Sequence, residues 1–196
     1  MLRYKQTKIL MMAMLVVAFI TSCKKNFTDP NRATSDKVFA SPAGLTGVSI
    51  GLQRVYSLGR ASSLYNVISI NGFVTKELRL LNPGNLPEFQ LSTGGPTVDG
   101  TNTMLAGLWT SSNKIIYDAD LVMAGAANLA DKGTASGLIG YASIFKALSI
   151  GNMAMFWEQV PTGTGSNVTF ISRQNGFMKA VEVIDNALTT IKTNVI

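Results

Sequence analysis

Few residue types in this chain can do chemistry. Its 196 residues include no histidine and a single cysteine, Cys23, so no imidazole is available as a base or as a metal ligand. Gly47-Val48-Ser49-Ile50-Gly51 matches the G-x-S-x-G elbow of hydrolases. It falls inside a predicted helix, not at a strand-to-helix turn, and no histidine can partner the serine. Glu77, Glu88 and Glu158 could act as acids or bases, but no spacing pairs them. The expectation is a protein that is not an enzyme and needs neither cofactor nor metal. Binding chemistry is better represented. A sugar ring offers an apolar face to an aromatic side chain and hydroxyls to amides, carboxylates or guanidinium groups. Trp109, Trp157, Tyr117 and Tyr141 have the right type, but their helical spacing favours core packing. Arg79 and Phe89 flank the longest irregular stretch and are the candidate ligand-binding residues.

Cys23 takes its meaning from the residues before it. Arg3, Lys5 and Lys8 lead into the apolar run from Ile9 to Ile20. A bilayer core needs about 20 apolar residues in a helix, whereas the apolar region of a signal peptide takes roughly 7–15. Ile20-Thr21-Ser22-Cys23 then resembles the bacterial lipobox. The implied chemistry is a thioether from the Cys23 sulfur to a diacylglycerol, cleavage before Cys23, and acylation of the new amino terminus. Lipidation also accounts for the odd thiol of an exported chain. Each buried methylene adds about 0.8 kcal/mol, so several acyl chains together hold firmly. Residues 1–22 are thus expected to be a signal peptide, residues 23–40 a lipidated tether, and residues 41–196 the folded domain. The signal carries three of the 17 Lys and Arg residues and none of the 11 Asp and Glu. The mature chain is only mildly basic, with no Lys/Arg cluster interleaved with aromatics, and nucleic acid is not an expected partner.

The elements that would carry a site are helical. Ser41-Pro42 announces a helix closed by Gly59, with Leu45, Val48, Leu52 and Val55 as its inner stripe,. Gly44, Gly47 and Gly51 in that helix suggest close approach of a neighbour. A second helix is expected over 63–81, with Leu64, Val67, Ile68, Val74 and Leu78 inward and Lys76, Glu77 and Arg79 outward. Asn82-Pro83-Gly84 stops it. Residues 82–100 are read as irregular, with a short extended piece at Phe89-Gln90-Leu91,. Helical spacing returns at Leu105, Leu108, Ser112, Ile115, Ala119, Val122, Ala126 and Leu129 and breaks at Asp131-Lys132-Gly133. Leu138 to Trp157 is apolar on nearly all sides, but Lys146 near its centre argues for a buried bundle helix over a membrane span. The last helix aligns Phe177, Val181, Ile184, Leu188, Ile191 and Val195. No comparable strand run exists, and the reading is an all-α fold of antiparallel helix pairs.

Three segments resemble the RagB/SusD family of nutrient-uptake lipoproteins on the outer membrane of Bacteroidota. They are TSDKVFASPAGLTGVSIGLQRVYS (34–57), LWTSSNKIIYDADLVM (108–123) and GYASIFKALSIGNMAMFWEQVP (140–161), in order behind a lipobox. They are similar to the family's opening Gly-containing helix, its Leu-Trp followed by a tyrosine-bearing helix, and its long central helix ending in Val-Pro. The resemblance implies tetratricopeptide-like helix pairs that lid a SusC-like TonB-dependent transporter and capture oligosaccharides or other nutrients, with no catalysis. It also implies a lipid-anchored, surface-exposed location on the outer membrane. Family members continue well beyond this length, so the chain is expected to correspond to their amino-terminal portion, with much of the ligand surface supplied by later chain. Lys24-Lys25-Asn26 departs from the acidic residues that often follow the lipidated cysteine in surface-exported members. The alternative is a tetratricopeptide-like lipoprotein adaptor that binds a protein. An exposed apolar groove between helices would favour the adaptor, and an aromatic shelf ringed by amides would favour glycan capture.

Overall fold

A computed structural model describes residues 34–195. The expected signal peptide and lipobox, with Cys23, lie outside the described residues. Among the described residues seven helices run in order: α1 (Ser35–Phe39), α2 (Pro42–Ser57), α3 (Ser63–Val74), α4 (Leu86–Thr93), α5 (Thr103–Ala127), α6 (Lys132–Phe156) and α7 (Arg173–Thr193). A 3-10 turn, Gly95–Thr97, follows α4, and strands β1 (Gln159–Pro161) and β2 (Phe170–Ser172) pair antiparallel between α6 and α7. The described chain is mainly helical, as its periodicity predicts. The short ladder falls where only a loop is expected: Val160 is fully buried there, and the Thr162 amide extends the pairing to the Thr169 carbonyl.

Capping chemistry sets the start of α2. The Ser41 hydroxyl accepts from the Gly44 amide at 3.1 Å, with Pro42 in the first turn,. Leu45 and Leu52 are buried, with Val48 and Val55 packed against the same cluster. Of the three α2 glycines only Gly44 is at a close approach, since a Cβ there would collide with the Val38 carbonyl, whereas Gly47 and Gly51 face open space. The neighbour is α1, which packs on α2 and α5. Residues 35–40, expected to be tether, therefore belong to the compact body that starts at Ser35.

The long pair α5 and α6 forms the spine. Asp131 caps α6, its carboxylate accepting from the Gly133 and Thr134 amides, so Asp131-Lys132-Gly133 ends one helix and begins the next. Cross-contacts run Met123 with Ser143, Asp120 with Lys146, and Asn113 with Met153. The numbers fall on α5 as they rise on α6, which makes the pair antiparallel. Every position from Leu108 to Leu129 of the α5 stripe is buried. Helix α6 is long and apolar enough to cross a membrane, yet 56% of its most apolar 18-residue stretch is buried inside the protein. Lys146 pairs with Asp120 across the seam. These observations agree with a bundle helix.

Two helices are rotated about their axes from the faces that their large apolar residues predict. In α3 the buried residues are Ser63, Asn66, Ser69, Ile70, Gly72 and Phe73, while Leu64, Ile68 and Val74 are exposed. Small side chains let α3 lie close to α5, where the Ser63 and Ser111 hydroxyls bond at 2.8 Å. The helix also stops at Val74, not Leu81. Lys76 adopts φ 68° and the Leu78 amide returns to the Gly72 carbonyl at 2.8 Å, so the chain doubles back over the helix end,. In α7 the buried residues are Gly176, Val183 and Ala187; of the expected stripe Ile184 and Ile191 pack inward, while Phe177, Val181, Leu188 and Val195 are exposed. At Gly176 a Cβ would collide with Val160, so that close approach, together with Ala187, selects the small-residue face for packing on α6,.

The stretch expected to be irregular is also largely helical. Phe89-Gln90-Leu91 lies inside α4, with Pro87 in its first turn and Gly94 closing it at φ 76°,. Its periodicity is hidden because α4 is short and buries only Gln90 and Leu91.

Candidate functional site

A polar concavity lies where α3, α4 and α5 meet beside the α2–α3 link. It encloses about 320 Å³, and Arg60, Tyr65, Asn66, Asn85, Glu88 and Thr103 are among its lining residues. Each wall has a local cause. Ser62 caps α3, accepting from the Tyr65 amide, and its carbonyl accepts from the Asn66 side-chain amide at 3.1 Å. Tyr65 and Asn66 are thereby fixed at the start of α3, with Asn66 almost fully buried at the floor. Gly107 keeps that floor reachable, since a Cβ there would sit 3.2 Å from the Asn66 amide nitrogen,.

Helix α4 is held to α5 by amides. Asn102 caps α5, its Oδ1 accepting from the Met104 and Leu105 amides. Its Nδ2 donates to Gln90 Oε1 at 2.9 Å and to the Pro87 carbonyl at 3.1 Å. Gln90 in turn donates to Asp99 at 2.8 Å. The Thr101 hydroxyl and amide, donating to Asp99, hold its carboxyl below the usual carboxylate range,. This buried network sets Asn85, Pro87 and Glu88 at the rim. Asn102→Ala removes a cap and leaves Gln90 short of a partner, so it should cost about 1–3 kcal/mol in urea denaturation. A loss under about 0.5 kcal/mol would mean that the network does not hold α4.

At the mouth, Arg60 Nε and Nη2 donate to the Tyr65 hydroxyl at 3.3 and 3.2 Å. The guanidinium carbon lies 5.6 Å from the Tyr65 ring centroid,. Nη2 stands 3.5 Å from Glu88 Oε1. Hydrogen bonding to Tyr65 raises the Arg60 pKa further above an already high value, so this cation stays charged at any working pH.

A second concavity is different in kind. Ile144, Leu148 and Met155 of α6 and Phe177, Val181 and Ile184 of α7 line an apolar groove of about 500 Å³. It exists because α7 packs through its small residues and leaves the large ones outside.

The residues singled out by type and spacing are scattered. Arg79, between α3 and α4, and Phe89, on α4, are both exposed, and neither lines the polar pocket. Trp109 and Trp157 stack edge-on at 5.1 Å and pack against the core. Tyr141 is half-buried against Phe145, its hydroxyl donating to Gln53 Oε1. Tyr117 differs from the core expectation: it is 52% exposed, in a cleft between α1 and α5 also lined by Asp36 and Asn128. Ser49 of the hydrolase-like pattern is buried inside α2, and its hydroxyl donates to the Leu45 carbonyl. Arg60, Tyr65, Asn66 and Asn85 are not sequence candidates, because only tertiary packing brings them to Glu88. The mid-helix Gly107 is their one visible trace. Among the described residues no group of carboxylates is clustered to hold a metal. No family model, curated protein or solved structure matches the chain.

Proposed function

We propose that the chain is an outer-membrane lipoprotein, anchored through Cys23, that captures oligosaccharides or similar polyhydroxylated nutrients for a partner TonB-dependent transporter. The polar pocket carries this reading. A tyrosine face, two asparagine side chains, a carboxylate and a guanidinium converge on one small cavity. That is the aromatic platform ringed by polar groups that a sugar requires. Antiparallel packing of α5, α6 and α7 in succession supports helix pairs of the tetratricopeptide kind, and with them a RagB/SusD-like body. On this reading the protein binds and hands over its ligand without chemical change.

The full chain should be retarded in native gels containing at least one of a panel of soluble polysaccharides. Tyr65→Ala should weaken that retention about tenfold, or roughly 1.4 kcal/mol. Retention unchanged by Tyr65→Ala would remove the pocket from the account. The apolar groove between α6 and α7 favours the adaptor reading, in which an amphipathic helix of a partner protein lies along the groove. Failure of every polysaccharide to retard the chain would move the balance to that reading.

A further inference from the structure

The charge inside the polar pocket has one sign. The Glu88 side chain is 17% exposed, whereas that of Arg60 is 78% exposed, so the carboxylate belongs to the cavity and the guanidinium reaches it from solvent. Among the described residues, Arg60 and Glu88 are the only charged ones that line the pocket. A sheltered carboxylate beside an aromatic face is how proteins recognise organic cations. Here the cation is the chain's own. Arg60 sits on the link between α2 and α3, next to Gly59 at φ 82°, and spans the Tyr65 ring and Glu88. Ion pairs with so exposed a partner hold weakly, because solvent screens them and the long side chain loses freedom.

We propose that Arg60 is a displaceable internal occupant standing where a ligand ammonium belongs, and that the pocket takes an amine-bearing sugar unit. This rests on the capture reading above. Glu88 accepts from the ammonium, the Tyr65 ring covers the apolar face of the sugar, and Asn66, Asn85 and Thr103 meet its hydroxyls. Gly107 leaves Asn66 within reach of the ligand. At about 320 Å³ the cavity is at the lower end of small-molecule sites,, which suits one terminal sugar unit over an extended chain. A uronate would place a second negative charge against Glu88 and is disfavoured.

Calorimetric titration of the full chain with a glucosamine trisaccharide and with its N-acetylated form tests this. At about pH 6 glutamate is ionised and an amine is protonated. The amine form should bind on the order of tenfold more tightly. Glu88→Gln should abolish that preference, and Arg60→Ala should tighten the amine form several-fold by removing its competitor. Because Arg60 is mostly solvent-exposed, an unchanged thermal transition would separate this effect from misfolding. Equal affinity for the two forms, or weaker amine binding by Arg60→Ala, would overturn the proposal. Capture at the pocket would still stand if both sugars bind and Tyr65→Ala weakens both. Binding of neither form would defeat the proposal alone, and the capture reading would fall only if no polysaccharide of the panel retards the chain.

Discussion

Leu108→Ala should lower the unfolding free energy by about 2–5 kcal/mol, read as a drop in denaturation midpoint with an unchanged slope. Leu108 is fully buried on α5 in a cluster with Ile70, Phe73, Leu91 and Met104, against which Tyr65 packs. The lost methyl groups account for part of the cost and the cavity left behind for the rest. The same cluster joins α3, α4 and α5 beneath the polar pocket, so sugar retention should fall along with stability. A cost below about 1 kcal/mol would mean that these helices are not packed around Leu108 as described.

Cys23→Ala should transfer the protein from the membrane fraction to the soluble one. The anchor proposed from Ile20-Thr21-Ser22-Cys23 would consist of several acyl chains, each methylene contributing about 0.8 kcal/mol. Among the described residues α6 alone is a helix long and apolar enough to cross a membrane, and it is more than half buried and carries the Lys146–Asp120 pair. Unchanged membrane fractionation of the variant would reject the lipobox.

The parts of the fold legible in the sequence are those where large apolar residues and burial coincide. The α5 stripe is the clearest case, because Ile115 and Val122 meet α2 and α6 while Leu108 meets α3 and α4, all at helical spacing. The Ser41-Pro42 start of α2 is readable for a local reason, as a cap depends only on neighbouring residues. Helices α3 and α7 mislead for one shared cause. Each closes on its neighbour through Gly, Ala, Ser or Asn, and Gly72 and Gly176 sit where larger side chains would collide. Periodicity of bulky residues therefore points to the solvent face in α3 and only part of the way to the packed face in α7, where Ile184 and Ile191 still turn inward. Helix α4 is inconspicuous because its buried face holds only a glutamine and a leucine. The polar pocket is hidden more deeply. Arg60, Tyr65 and Glu88 come from separate elements, and the Asn102–Gln90–Asp99 network that positions Glu88 is built from two amides and a carboxylate that read as ordinary loop residues.

That pocket is the centre of the functional account, and nuclear magnetic resonance can locate binding on it directly. Titrating isotope-labelled protein with a retained oligosaccharide should shift the backbone amides of Asn66, Asn85, Glu88 and Gly107 in a saturable, concerted way. The amides of Gly151, Ala180 and Val181 along the α6–α7 groove should stay in place. Shifts confined to the groove, with Asn66 and Gly107 unmoved, would contradict capture at the polar pocket.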